Sequence, residues 1–190
     1  MVKKRVICYI DGFNLYHSIV ALGSDYNYLK WVNLWKLSNA YIKSLNEKLI
    51  KVYYFSAIAS WLKDSSARHK KFIKANKSFG VTPVLGHFKK KGRQCKKCSA
   101  KWSEHEEKQS DVNLAIYLVK HACLNNFDKA FVISADSDLC PPIDFVINDC
   151  KKEVEILIPP NRYKITSELH NKVKAYKIKK SIWKPINFAI

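Results

Sequence analysis

The 190 residues leave room for one α/β domain with a proper core and too little for two. Hydrophobic residues make up 47% of them, and no stretch holds the roughly 18 apolar residues of a membrane span, so neither a disordered tail nor a helical membrane protein is expected. Lys and Arg number 34 against 16 Asp and Glu; a net charge of +18 on so small a chain asks for a polyanionic partner, nucleic acid being the commonest.

Residues 6–10 are a continuous apolar run closed by Asp11-Gly12, the pattern of a strand buried on both faces and followed by a sharp turn. The run is basic at its start, but five apolar residues are too few for a signal sequence, and a cytoplasmic location is expected. A helix is expected over 13–22, stopped by Gly23. A second is expected over 33–48, with Leu34, Leu37, Tyr41, Ile42 and Leu45 at helical spacing. Residues 51–59 read as an aromatic-rich strand, 64–79 as a helix capped by Asp64 and ended by Gly80, and 81–88 as a further strand. Residues 89–106 break this rhythm with a polar, basic stretch.

Ser110 opens an expected helix over 110–125. A buried strand follows at 130–134, a helix with prolines in its first turn at 139–149, and a strand at 153–158. A short helix at 165–171 and a basic tail complete the chain. Strands alternating with helices predict a three-layer α/β/α sandwich around a mostly parallel sheet. The expected division is one domain over 1–160 and a basic extension over 161–190 packed on or near it.

In such sheets ligands bind beyond the carboxyl ends of the strands. Asp11 follows the first strand there, and Asp136 and Asp138 follow the strand that ends in Ser134. Asp111 stands at a predicted helix start, behind Glu104, Glu106 and Glu107. Each aspartate read alone could be a helix cap or a turn residue. Converging, the four would repel one another, and a hard cation such as Mg²⁺ or Mn²⁺ would relieve that repulsion and activate water for phosphodiester hydrolysis.

Three motifs stand in order: Tyr9-Ile10-Asp11-Gly12-Phe13-Asn14-Leu15-Tyr16, Glu107-Lys108-Gln109-Ser110-Asp111-Val112 and Ser134-Ala135-Asp136-Ser137-Asp138-Leu139. Together they make the chain resemble the NYN domain, a branch of the PIN-like nuclease superfamily, over about residues 4–160. The resemblance implies a Rossmann-like three-layer fold and RNA cleavage dependent on Mg²⁺ or Mn²⁺. It implies Asp11, Asp111 and Asp136 as metal ligands and Asp138 as a fourth acid. It also implies Asn14 orienting Asp11 or the substrate, Ser134 bonding a ligand carboxylate, and Lys108 meeting a phosphate.

Residues 87–106 form an insert around Cys95-Lys96-Lys97-Cys98. Structural zinc needs four ligands, and His87 and His105 could join Cys95 and Cys98 in a Cys₂His₂ knuckle; reduced thiols in a loop are the alternative. Cys8, Cys123, Cys140 and Cys150 lie in or beside apolar segments, where they act as small hydrophobes. Lys89, Lys90, Lys91, Arg93, Lys96 and Lys97 are expected to guide RNA, helped by a lysine-rich helix at 63–77 and by the tail, where Tyr176 and Trp183 lie among lysines. The expected function is endoribonuclease action on single-stranded or looped RNA. The alternatives are an RNA-binding module of the same fold without turnover, and a DNA nuclease or phosphatase using the same acids.

Overall fold

The computed structural model describes residues 2–162, 173–179 and 182. Six strands form one sheet in the order β3-β2-β1-β6-β7-β8, every neighbouring pair parallel. They are β1 (Lys4–Asp11), β2 (Glu47–Ser56), β3 (Val81–Leu85), β6 (Lys129–Ile133), β7 (Glu153–Ile158) and β8 (Lys174–Lys177). A separate antiparallel hairpin joins β4 (His87–Gln94) to β5 (Lys101–Lys108). The helices are α1 (Gly12–Val20), α2 (Leu34–Asn39), α3 (Lys63–Ser78), α4 (Ser110–Cys123) and α5 (Cys140–Asn148), with 3₁₀ turns at Ser24–Trp31 and Ser137–Leu139.

Strand alternation sorts the core into two halves. Val6, Cys8 and Ile10 point to one face of β1 and pack with residues of α1, α2 and α3. Ile7 and Tyr9 point to the other and pack with Leu114 and Leu118 of α4 and Ile143 and Val146 of α5. This is the expected three-layer α/β/α sandwich. No helix among the described residues is long and apolar enough to cross a membrane. None of the six cysteines is in a disulfide.

Two local expectations need correction, and the carboxyl-terminal extension gains a strand. The helix expected over 33–48 ends at Asn39, and Glu47 already begins β2. Glu47 and Leu49 are buried while Lys48 and Ile50 are not, a period of two that belongs to a strand. The stretch expected to be an irregular loop over 89–106 is mostly the β4–β5 hairpin, because its lysines face glutamates across the ladder. In the expected basic extension, residues 174–177 are an edge strand, and charged edge positions discourage further pairing. The short helix expected over 165–171 lies outside the described residues.

The amino-terminal end of the sheet is closed by a buried cation. Lys129, 1% exposed, donates to Glu47 at 3.0 Å and to Glu155 at 2.8 Å, so one ammonium links β2, β6 and β7 around β1. Burial alone would lower the Lys129 pKa; the hydrogen bonds to Glu155 and Glu47 overcome it and hold the group above its ordinary value. Beside it, Arg5 grips Asp128, whose carboxyl that hydrogen bond pulls down to about 2. Removing one member of a buried ion cluster leaves the others unpaired. Lys129→Met is therefore expected to destabilise the fold by about 3–5 kcal/mol in a urea titration at neutral pH.

Candidate functional site

The order of the strands brings the carboxyl ends of β1 and β6 side by side, although 123 residues separate Asp11 from Ser134. Asp11 ends β1 and also caps α1: its Oδ1 accepts from the Asn14 backbone N–H at 2.9 Å. Its Oδ2 accepts from the Ser134 hydroxyl at 2.9 Å. The Asp136 N–H donates back to Ser134 Oγ at 3.1 Å, and Asn14 Oδ1 accepts from the Ala135 N–H at 3.2 Å. Two turns from distant parts of the sequence are thus laced together, with the Asn14 side chain holding the second turn.

On the other side of β1, Gly12 lets the start of α1 pack closely on β2. A Cβ there would stand 2.6 Å from the Tyr54 ring and 2.7 Å from the carbonyl oxygen of Phe55, and backbone cannot yield as a flexible side chain can. Gly86, leaving β3, has the same role below the hairpin, where a side chain would collide with the carbonyl of Lys108.

The second acidic turn is also capped from within. Asp136 Oδ1 accepts from the Asp138 N–H at 3.0 Å, so Asp136 and not Asp138 is the cap. Asp136 is half-buried and Asp138 exposed. At α4 the expected Ser110 cap is replaced. Gln109 takes the cap position with φ +79°, and the Glu107 carboxylate accepts from the Ser110 N–H at 3.0 Å. That gives Glu107 its structural duty, and the buried Ser110 hydroxyl has no hydrogen-bond partner among the described residues.

The acids feel one another. Burial, followed by the charges of Asp111 and Asp136, pushes Asp11 up to about 6 despite the opposing hydrogen bonds from Asn14 and Ser134. Asp111 is raised by the packing around its carboxyl and then by Asp136, Glu107 and Asp138. No lysine or arginine figures among these influences, although the protein carries a surplus of 18 positive charges. The donors are all oxygen, the chemistry a hard divalent cation prefers. The four acids nevertheless do not make the ready-made ligand shell expected from sequence. Among the described residues, no three His, Cys, Asp or Glu side chains stand close enough to hold one ion as placed.

These observations can be set beside known proteins. The family model for the NYN domain matches residues 5–178. The chain belongs to the NYN domain family. NYN domains are PIN-like nucleases, and this match runs through β8, beyond the first 160 residues. A Pseudomonas putida (strain DSM 28022 / S16) protein named 6-hydroxy-3-succinoylpyridine 3-monooxygenase HspA is 23% identical over 191 residues, spanning 82% of this chain. The match covers 59% of that relative's length. A Vibrio parahaemolyticus RIMD 2210633 protein of unknown function, VPA0982, has the same fold. Its TM-score is 0.64 at 17% identity, covering 95% of this chain and 96% of that one.

The zinc set expected in this NYN chain does not assemble. Cys95 and Cys98 occupy the hairpin tip, beyond the last strand pair Gln94–Lys101. His105 pairs with Lys90 and His87 with Lys108, which at about 3.3 Å per residue leaves them about 16 Å and 26 Å from Cys95. Both are otherwise engaged: the His105 ring stacks on Trp61 at 3.7 Å, and His87 Nδ1 meets Gln109 Oε1 at 3.1 Å. The cysteine turn itself is ordered toward a thiolate, since backbone N–H groups of Cys98 and Lys97 lower the Cys95 pKa.

Of the expected RNA-guiding cations, Arg93 pairs with Glu104 at 2.9 Å, Lys108 with Glu106 at 2.8 Å and Lys91 with Glu106 at 3.9 Å. Lys89, Lys90, Lys96 and Lys97 make no ion pair among the described residues. Of the tail residues expected to help, Trp183 lies outside the described residues. Sequence reasoning missed a cavity of about 470 Å³ that begins at Gly12, directly after Asp11, and is lined by α1, β2, α3 and the 24–31 turn, with Phe88 of the hairpin in its wall.

The close approach at Gly12 is open to test by urea unfolding. Gly12→Ala is expected to destabilise by about 1–3 kcal/mol through the collision with backbone. Gly92→Ala, where an added carbon meets nothing within 4 Å, is expected to stay within about 0.5 kcal/mol of wild type.

Proposed function

We propose that this NYN protein hydrolyses phosphodiester bonds of single-stranded or looped RNA, with Mg²⁺ or Mn²⁺ held among Asp11, Asp111, Asp136 and Asp138. The observation that carries this reading is the set of mutually repelling acids at the strand ends, which form no ion pair among the described residues of a strongly basic protein. A divalent cation bound there polarises a phosphoryl oxygen and lowers the pKa of a bound water. Asp11 is the fixed ligand: each of its oxygens accepts one hydrogen bond and keeps a further lone pair for a cation. Asp111 and Asp138 are exposed, so turning their short side chains toward the cation is open to them. Ser134 and Asn14 hold the geometry, and the unpaired hairpin lysines offset phosphate charge along the strand.

The test is cleavage of a labelled single-stranded RNA with Mn²⁺ or Mg²⁺. Cleavage is expected to stop in EDTA and to fall by more than about a hundredfold in both Asp11→Asn and Asp136→Asn, with folding and RNA binding retained. Full activity in both variants overturns the reading. Binding that needs the lysines but ignores the metal, with no cutting, leaves an RNA-binding module of the same fold. The Pseudomonas putida relative favours a second reading, because its name is that of a monooxygenase for a hydroxylated pyridine. The cavity beside Asp11 would then serve a small heteroaromatic substrate, and RNA would be cut with neither metal.

We also propose that Cys95 and Cys98 supply two of the four ligands of a structural zinc, the others coming from outside the hairpin. Metal analysis of protein purified without chelator is expected to find zinc that Cys95→Ser loses; zinc-free wild-type protein refutes this.

A further inference from the structure

The cavity beside Asp11 has a composition that neither a hydrophobic core nor a phosphate site requires. Phe13, Tyr16, Trp31, Trp61, Phe72 and Phe88 bring aromatic surface to it. Tyr16 and Trp61 keep 48% and 40% of their surface exposed, although such rings are normally covered. Two cations join them. Lys30 Nζ lies 5.9 Å from the centre of the Tyr16 ring, and Arg68 extends from α3, its guanidinium 3.2 Å from the Ser65 hydroxyl. Polar groups sit deeper: Ser56 and Ser66 are buried, and His69, kept toward its neutral form by burial, bonds the Tyr54 hydroxyl at 3.1 Å.

We propose that this cavity takes one unstacked nucleobase of the RNA, next to the phosphate positioned at Asp11. The inference rests on the nuclease reading for its RNA strand and adds to it a base-selecting pocket. Three features support that occupant. The volume of about 470 Å³ lies in the range of small-ligand sites and holds a single nucleotide rather than a stretch of chain. Aromatic walls with Lys30 and Arg68 among the lining suit a flat heteroaromatic ring joined to a phosphate, since bases splayed from single strands are held by stacking and by arginine. Gly12 and Phe13, which line the cavity, directly follow Asp11 in the chain, so the cavity wall begins one residue from that acid.

The hairpin has a part in this. Phe88 packs edge-on against Phe13 at 5.7 Å and against Trp61 at 4.7 Å, while His105 stacks on Trp61 at 3.7 Å. The hairpin face that carries Phe88 therefore contributes to the cavity wall, while Lys89, Lys91 and Arg93 lie on its opposite face.

The test has two arms. In EDTA, the intact protein is titrated with AMP, CMP, GMP, UMP, ribose 5-phosphate and 2-hydroxypyridine, read by tryptophan fluorescence and by NMR. At least one mononucleotide is expected to bind about tenfold or more tighter than ribose 5-phosphate, and Trp61→Ala and Tyr16→Ala are each expected to weaken it about tenfold. With Mn²⁺, abasic nucleotides are placed in turn along a cleaved RNA. One position is expected to lower kcat/KM about tenfold in wild type and to have little effect in Trp61→Ala. Ribose 5-phosphate binding as well as every mononucleotide overturns the pocket. So does 2-hydroxypyridine binding more tightly than all of them, which would make the ligand a free heterocycle. If no RNA is cut, the nuclease reading fails alone, because the EDTA arm still decides whether a base is bound.

Discussion

The hydrogen bond from Ser134 to Asp11 joins the ends of two parallel strands that are neighbours only because the chain crosses over to place β6 against β1. A buried carboxylate without such donors would be driven to its neutral form. Here two donors hold its oxygens in place, while burial and two nearby acids still raise its pKa to about 6. The acid is geometrically fixed and electrostatically unsatisfied, a condition that calls for a cation. Asn14 and Ala135 add a second tie, so the two turns move as one unit.

The two ends of the sheet treat charge in opposite ways. At the amino end, Lys129 lies between Glu47 and Glu155, and Arg5 holds Asp128, so each buried or half-buried charge has its counterpart. Desolvation is offset locally there, and those charges serve the fold. At the carboxyl end like charges face each other without a basic side chain among the influences on them.

The hairpin divides its residues by strand face. Lys89, Lys91 and Arg93 share a face with Glu104 and Glu106, and several of these charges neutralise each other. Phe88 and His105 share the opposite face and bind the hairpin to Trp61 and Phe13. An element that looks in the sequence like a basic RNA-binding loop is therefore also a wall of the aromatic cavity.

The sequence by itself determined the sheet's buried strands, the α/β class, and the acids placed just past strand ends, because all three rest on local periodicity and on residues adjacent in the chain. It also carried the three motifs that mark an NYN domain. Residues with two structural options were settled only by contacts from far along the chain. Glu47 became a strand residue because Lys129 lies within reach across the sheet, and residues 174–177 became an edge strand because β7 offered a free side. His87 and His105 looked like zinc ligands because sequence separation says nothing about position on a hairpin. Pairing sends one to the base and the other against Trp61, while the cysteines stay at the tip. The cavity was hidden for the same reason: its rings come from α1, the 24–31 turn, β2, the segment before α3, α3 itself and β4, and only tertiary packing decides whether such rings fill a core or surround a space.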